Sequence, residues 1–207
     1  IADDISVGAH SVIDEYVSIG SNTVIGNNVT ITGDTSIGKN NRIYHSSSIG
    51  EDPQDKKYDA EKTKLIIGDN NTIREFCTIN RGTAQDKGVT FIGNNNWIMA
   101  YVHIAHDCHI GNECIFANAT NIAGHVEVND FAILGGFTGI HQFCKIGAHI
   151  ITAVGTVVYK DIPPFIIVSG NGNNTKPNGI NIEGLKRRDF SASSIAAIKK
   201  AYKIIFI

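Results

Sequence analysis

The chain has 207 residues, 18 basic and 20 acidic side chains, and 42% hydrophobic content, which bounds it to one domain or one domain with a small appendage. The near-neutral balance demands neither nucleic acid nor a membrane as partner. No apolar stretch approaches the roughly 18 residues needed to span a bilayer, and no secretory h-region is visible. Position 1 is not Met, the single Met is Met99, and the sequence stops inside the apolar run Lys203-Ile204-Ile205-Phe206-Ile207. Both ends therefore read as cut from a longer chain.

From the first residue a period of six governs the sequence. Ile1, Val7, Ile13, Ile19, Ile25, Ile31, Ile37, Ile43 and Ile49 form one run, and Ile67, Ile73 and Ile79 a second. A third runs from Ile92 through Ile98, Ile104, Ile110, Phe116, Ile122, Val128, Leu134, Ile140 and Ile146 to Val158, with Thr152 as its one polar break. Gly often follows the aliphatic, and a small residue generally precedes it by two places. Helices and hairpins do not hold this period. A short strand with one inward aliphatic, then a turn eased by Gly or Asn, does so. Three such strands per coil predict a triangular all-β solenoid whose coils stack about 4.8 Å apart, each burying its face only against the next.

Two segments leave the phase. Residues 51–66 carry Asp55 and Glu61 where aliphatics are due, and residues 82–91 shift the register by one. Both are expected to project as loops, and loops that break so regular a pattern are candidates for function. The repeat is expected to end after Asp161-Ile162-Pro163-Pro164. This gives a β-helix over 1–165 and, over 166–207, a connector and the start of a helical domain. Residues 191–207 read as a helix with Ser191 as N-cap and Ile195, Ile198, Tyr202 and Ile205 along one face.

Cys77, Cys108, Cys114 and Cys144 each lie two places before a repeat residue. Packing accounts for all four, no CxxC pair suggests metal, and a reducing, cytoplasmic compartment is expected. His103, His106, His109, His125 and His141 fall in less than forty residues. With eighteen-residue coils, Asp107 and His125 stack on successive turns and His106 lies beneath Gly124. Two chemistries compete for this edge. Histidines could hold a catalytic zinc ion, as in β-helical carbonic anhydrases, although the partner position five residues before His106 is Tyr101. Alternatively His106 is a general base oriented by Asp107, with the Gly124 N–H facing an oxyanion. A purely structural solenoid would not gather histidines on one edge.

Six ordered motifs narrow the choice: Gln54-Asp55-Lys56-Lys57-Tyr58, Asn80-Arg81-Gly82-Thr83, His103-Ile104-Ala105-His106-Asp107-Cys108, Ala123-Gly124-His125-Val126, Gly139-Ile140-His141-Gln142-Phe143 and Asn181-Ile182-Glu183-Gly184-Leu185-Lys186-Arg187-Arg188. They resemble the UDP-N-acetylglucosamine O-acyltransferases of Gram-negative bacteria over essentially the whole chain. The resemblance implies a left-handed parallel β-helix, a homotrimer with active sites between subunits, and no cofactor or metal. It implies transfer of a 3-hydroxyacyl group from acyl carrier protein to the 3-hydroxyl of UDP-N-acetylglucosamine, in lipid A synthesis. His106, Asp107 and Gly124 match the family's base, orienting carboxylate and oxyanion donor. Asp55, Lys57, His103, His125, His141 and Gln142 match residues lining the sugar and acyl cleft. Asn181, Glu183, Arg187 and Arg188 match those near the nucleotide, and Val154 matches the residue that measures acyl length. Without the motif, Arg187 and Arg188 read as a solvated helix start. The Gly172–Asn178 region departs from the family by two extra residues. Another hexapeptide acyltransferase is the next enzyme reading.

Overall fold

The computed structural model describes residues 2–207; Ile1, first of the six-residue series, lies outside the described residues. The chain winds as a left-handed parallel β-helix with three faces, sheets of ten, eight and seven strands. Most strands are only two residues long, an outward residue followed by the inward aliphatic. On the eight-stranded face Ile104 pairs with Ile122 and Ile122 with Ile140. The neighbouring faces stack Ile98 on Phe116 and Ile92 on Ile110. These columns are the core, and Ile104, Ile110, Phe116 and Ile122 are wholly buried.

The turns are less restricted to Gly and Asn than the sequence pattern implies. Asn22, Asn28, Asn40, Asn70 and Asn95 do take positive φ, but so do Phe76, Tyr101, Asp107, His125, Phe131, Phe137, Phe143 and His149. In the last coils these residues fall six apart and define the three edges of the prism: Tyr101 and Phe137 on one, Asp107, His125 and Phe143 on the second, and Phe131 and His149 on the third.

The small-residue slot before each aliphatic also holds three buried asparagines. Asn71 N–H donates to Asn41 Oδ1 (2.8 Å), Asn96 N–H to Asn71 Oδ1 (2.9 Å) and Cys114 N–H to Asn96 Oδ1 (2.8 Å). Their amide groups reach the carbonyls of Gly68, Gly93 and Gly111, so every coil in this column has its polar atoms paired. Thr152 is buried at no polar loss, because its hydroxyl accepts from Gly135 N–H and meets Thr138 Oγ1 at 2.7 Å. All four cysteines are free and buried. Burial pushes the Cys77 thiol up to about 11 and the Cys108 and Cys114 thiols up to about 12.

The chain leaves the ladder after Glu51 and again after Asn80. Glu51 still closes a strand and Lys64–Ile67 begins the next; the second excursion ends where Val89–Ile92 starts. Pairing resumes because the coil-to-coil ladder accepts any excursion that returns the next strand to its neighbour. Both loops leave the eight-stranded face for the seven-stranded one, along the edge that carries Asp107, His125 and Phe143.

The sheet runs on past residue 165. Ile166–Ser169 adds to the ten-stranded face, and Lys176–Ile180 closes it as an antiparallel strand. Two helices follow, α1 (Ile182–Arg187) and α2 (Ala192–Phe206). Ser191 caps α2 by accepting from Ser194 N–H. Its half-buried face is Ile195, Ile198, Tyr202 and Phe206; Ile205 points away and is 66% exposed. Tyr202 and Phe206, one turn apart on the stripe, pack against the core of the prism.

Because Ile122 is sealed between two coils, Ile122→Ala is expected to cost about 2–5 kcal/mol. Urea unfolding of the variant, followed by circular dichroism, measures this.

Candidate active site

The His106–Asp107 pair occupies a corner between two faces, in the turn after the strand His103–Ile104. Asp107 takes positive φ (59°) there, which turns its carboxylate beneath the surface while His106 stays at the opening. Its side chain is 0% exposed, against 14% for His106. Burial alone would raise the Asp107 carboxyl, but hydrogen bonds from His106 and Thr83 outweigh it and hold it below the ordinary value. An ionised carboxylate can only accept, so His106 Nδ1 carries the hydrogen it shares with Asp107 Oδ2 (2.9 Å). That leaves Nε2 as the ring's basic nitrogen.

Thr83 is the residue that sequence reasoning left without a role. Its N–H donates to both carboxylate oxygens of Asp107 (2.9 and 3.1 Å), and its hydroxyl donates to Oδ2 at 2.6 Å. The Asp107 N–H is in turn held by Thr90 Oγ1 at 2.8 Å. The sequence marked it only by its place in the motif Asn80-Arg81-Gly82-Thr83, at the mouth of the second phase break. Arg81, two residues earlier, ties down the first loop. Its guanidinium donates to Gly50 O, to Asp52 and to the Tyr58 hydroxyl, and lies over the Tyr58 ring.

Gly124 lies one coil above His106. A Cβ there would meet His106 Cε1 at 2.6 Å and Nε2 at 2.8 Å, so only glycine lets the ring sit in this place. Among the described residues the Gly124 N–H has no hydrogen-bond partner within the chain, which leaves it free to donate to a ligand.

Two clefts meet at His106. The larger, about 1020 Å³, brings Asp55 and Lys57 of the first loop to His125 and Gln142. The smaller, about 450 Å³, holds His103, Gly124 and His141. Burial, followed by the charge of His106, lowers the His103 pKa, which favours the neutral ring. Its Nδ1 lies 2.7 Å from Thr78 Oγ1.

The remaining expected residues lie outside both clefts of this chain. Asn181 is buried and its side chain is already used. Its Oδ1 caps α1 by accepting from Gly184 N–H, and its Nδ2 donates to His149 O. Glu183 pairs with Lys186. Arg187 and Arg188 close α1 and do not start a helix. The Arg188 guanidinium lies over Phe131, 4.5 Å from the ring centre, on a different edge of the prism. Val154 stands 77% exposed.

His106, Asp107 and His125 place ligand-capable atoms within 4.8 Å of one another. Both imidazole Nδ1 atoms are, however, engaged by carboxylates, His106 by Asp107 and His125 by Asp86. Tyr101, the position a third zinc ligand would need, lies on a separate edge. The donor set suits proton transfer better than zinc.

A β-helix of six-residue steps, with an imidazole–carboxylate pair set against a corner glycine, defines a hexapeptide-repeat transferase. The family model described as bacterial transferase hexapeptide (six repeats) matches residues 90–124. The model described as UDP-N-acetylglucosamine O-acyltransferase, domain 2, matches residues 161–207. The acyl-[acyl-carrier-protein]–UDP-N-acetylglucosamine O-acyltransferase of Thiobacillus denitrificans is 62% identical over 206 residues, covering 100% of this chain and 79% of that protein. The solved UDP-N-acetylglucosamine acyltransferase of Francisella novicida superposes with a TM-score of 0.95 at 47% identity, over 98% of this chain and 74% of that one. The Moraxella catarrhalis O-acyltransferase superposes with a TM-score of 0.96 at 43% identity, over 99% of this chain and 79% of that one. The chain belongs to the UDP-N-acetylglucosamine O-acyltransferase family.

Thr83 gives the site a measurable acid limit. Asp107 has a depressed folded-state pKa, so its contribution is present above the unfolded carboxylate range and is lost as pH falls through the folded value. Thr83→Val removes one of the bonds that depress it. The variant is expected to lose about 1.5–3 kcal/mol at neutral pH and to unfold in acid at a higher pH than the parent. A pH titration of ellipticity, with urea unfolding at pH 7, tests both.

Proposed function

We propose that the chain transfers a 3-hydroxyacyl group from acyl carrier protein to the 3-hydroxyl of UDP-N-acetylglucosamine, the opening step of lipid A synthesis. The observation that carries this reading is the His106 ring fixed at Nδ1 by a buried carboxylate and lying directly under Gly124. His106 Nε2 takes the proton of the acceptor hydroxyl as the oxygen attacks the thioester carbonyl. Asp107 stabilises the imidazolium that results. The Gly124 N–H donates to the oxyanion of the tetrahedral intermediate, and the imidazolium returns its proton to the departing thiolate.

Asp55, Lys57, His125 and Gln142 border one cleft, and His103 and His141 the other, so the sugar and the acyl chain can approach His106 from separate sides. The nucleotide-side group Asn181, Glu183, Arg187 and Arg188 serves the cleft of a neighbouring copy in a homotrimer, since it lies away from the clefts of its own chain. Guanidinium groups suit diphosphate oxygens; Asn181, buried and bonded on both sides, acts there by shaping α1. Four unpaired thiols support a reducing, cytoplasmic setting, and no described helix is long and apolar enough to cross a membrane. Labelled UDP-N-acetylglucosamine incubated with a panel of acyl carrier protein thioesters, and the product identified by mass, tests the reaction; no acylated sugar with any thioester overturns it.

His106→Ala is expected to lower turnover by about 10²–10⁴ while binding of UDP-N-acetylglucosamine, measured by calorimetry, changes much less. Near-full activity in this variant would refute the assignment of the base.

The exposed Val154 side chain is placed to meet an acyl tail in a cleft between subunits. Its three carbons over Gly match roughly one two-carbon step of acyl length, and an apolar slot discriminates a methylene by about 1–3 kcal/mol. Val154→Gly should therefore move the preference toward longer acyl chains in competition between thioesters of different length. An unchanged length profile would show that Val154 only covers the prism.

A further inference from the structure

The second loop brings a carboxylate to the site that no motif singled out. Asp86 Oδ2 lies 2.8 Å from His125 Nδ1, and the two residues are 39 apart in sequence. The same nitrogen lies 3.8 Å from Asp107 Oδ2, the oxygen that already accepts from His106 Nδ1, the Thr83 hydroxyl and the Thr83 N–H. The two imidazoles meet edge to face with centroids 5.0 Å apart. Two histidines therefore compete for one buried carboxylate, and a small rotation of His125 would bring it into hydrogen-bond range.

We propose that Asp86 is a positioning residue for the catalytic dyad: it holds His125 on its own carboxylate and so reserves Asp107 for His106. This rests on the acyl-transfer reading above. A carboxylate shared between two imidazoles stabilises the imidazolium of His106 less and orients its ring less firmly, because each donor draws on the same oxygen. Giving each histidine its own acceptor removes that conflict. His125 is held from its flat side as well, stacked on Phe143 at 4.4 Å and 9°, so one hydrogen bond at Nδ1 suffices to fix its rotation.

The loop is built to deliver the carboxylate. Thr83 anchors its start on Asp107, and Gln85 Nε2 reaches Glu61 Oε1 of the first loop at 3.3 Å. Two residues of one turn, Thr83 and Asp86, thus supply the donor that keeps Asp107 charged and the acceptor that keeps a rival donor away from it. Asp86 touches neither sugar nor thioester in this scheme; it acts through His125.

Steady-state kinetics on the complete chain, with an acyl carrier protein thioester and UDP-N-acetylglucosamine, tests the idea in two backgrounds. Asp86→Ala should lower kcat about ten-fold, in line with loss of a hydrogen bond to a charged group. Asp86→Asn should restore most of it, because the amide oxygen still accepts from Nδ1. In a His125→Ala background no rival donor exists, so Asp86→Ala should cause no further loss of kcat; this coupling separates positioning from general support of the fold. Parental kcat in Asp86→Ala, an equal loss in both backgrounds, or an Asn variant as poor as the Ala variant would each overturn the proposal. An unaltered parent that forms no acyl-sugar would instead remove the reaction on which it rests.

Discussion

Three times in each coil the backbone must bend sharply enough to start a new face, and at most of these bends one residue takes the left-handed conformation. For a side chain other than glycine this costs about 1–2 kcal/mol, and aromatic residues accept it repeatedly here. The cost is offset because each bend lets a short strand pair above and below and seal its aliphatic against two neighbours. Everything else follows from that repeated compromise. The prism has fixed edges, and the edges bring residues eighteen apart into contact.

The pair His106 and Asp107, proposed above as catalytic, depends on the same constraint. At Asp107 the left-handed bend carries a short acidic side chain inward, where a carboxylate would ordinarily become neutral. It stays charged because an insertion returns Thr83 to it with two donors, and because the adjacent imidazole supplies another. Regular repeats alone supply the imidazole but neither of the two Thr83 donors. The irregular segment and the regular one are thus two halves of a single electrostatic arrangement.

Much of this was legible in the sequence, and for a definite reason. A six-residue period writes the core, the faces and the stacking directly into residue numbers, so the position of His106 under Gly124 could be read off. Loops could be located by their broken phase, though their ends were set one to three residues off, because the strands that flank them, such as Ser48–Glu51 and Lys64–Ile67, run longer than the two residues of an ordinary step. The asparagine column was not foreseen, since burial of amides depends on carbonyls that only the stacked coils provide. Ile205 and Phe206 exchanged places on α2 for want of knowing which neighbour the helix meets. Thr83 and Asp86 carried no periodic mark, because their partners lie in coils that a phase break had separated from them.

Both excursions leave the prism along the edge that bears His106 and His125. An edge-strand protein that lengthens a connection risks slipping its register, but a solenoid coil is held by the coil before and after it. Residues can therefore be added to or removed from the first loop while the vertical spacing of His106, Gly124 and His125 stays the same. Substrate-facing chemistry and structural spacing are in this way written in different parts of the chain. The wall of the larger cleft can be reshaped by insertion in the first loop, whereas the second is bound to the histidine–carboxylate pair through Thr83 and Asp86.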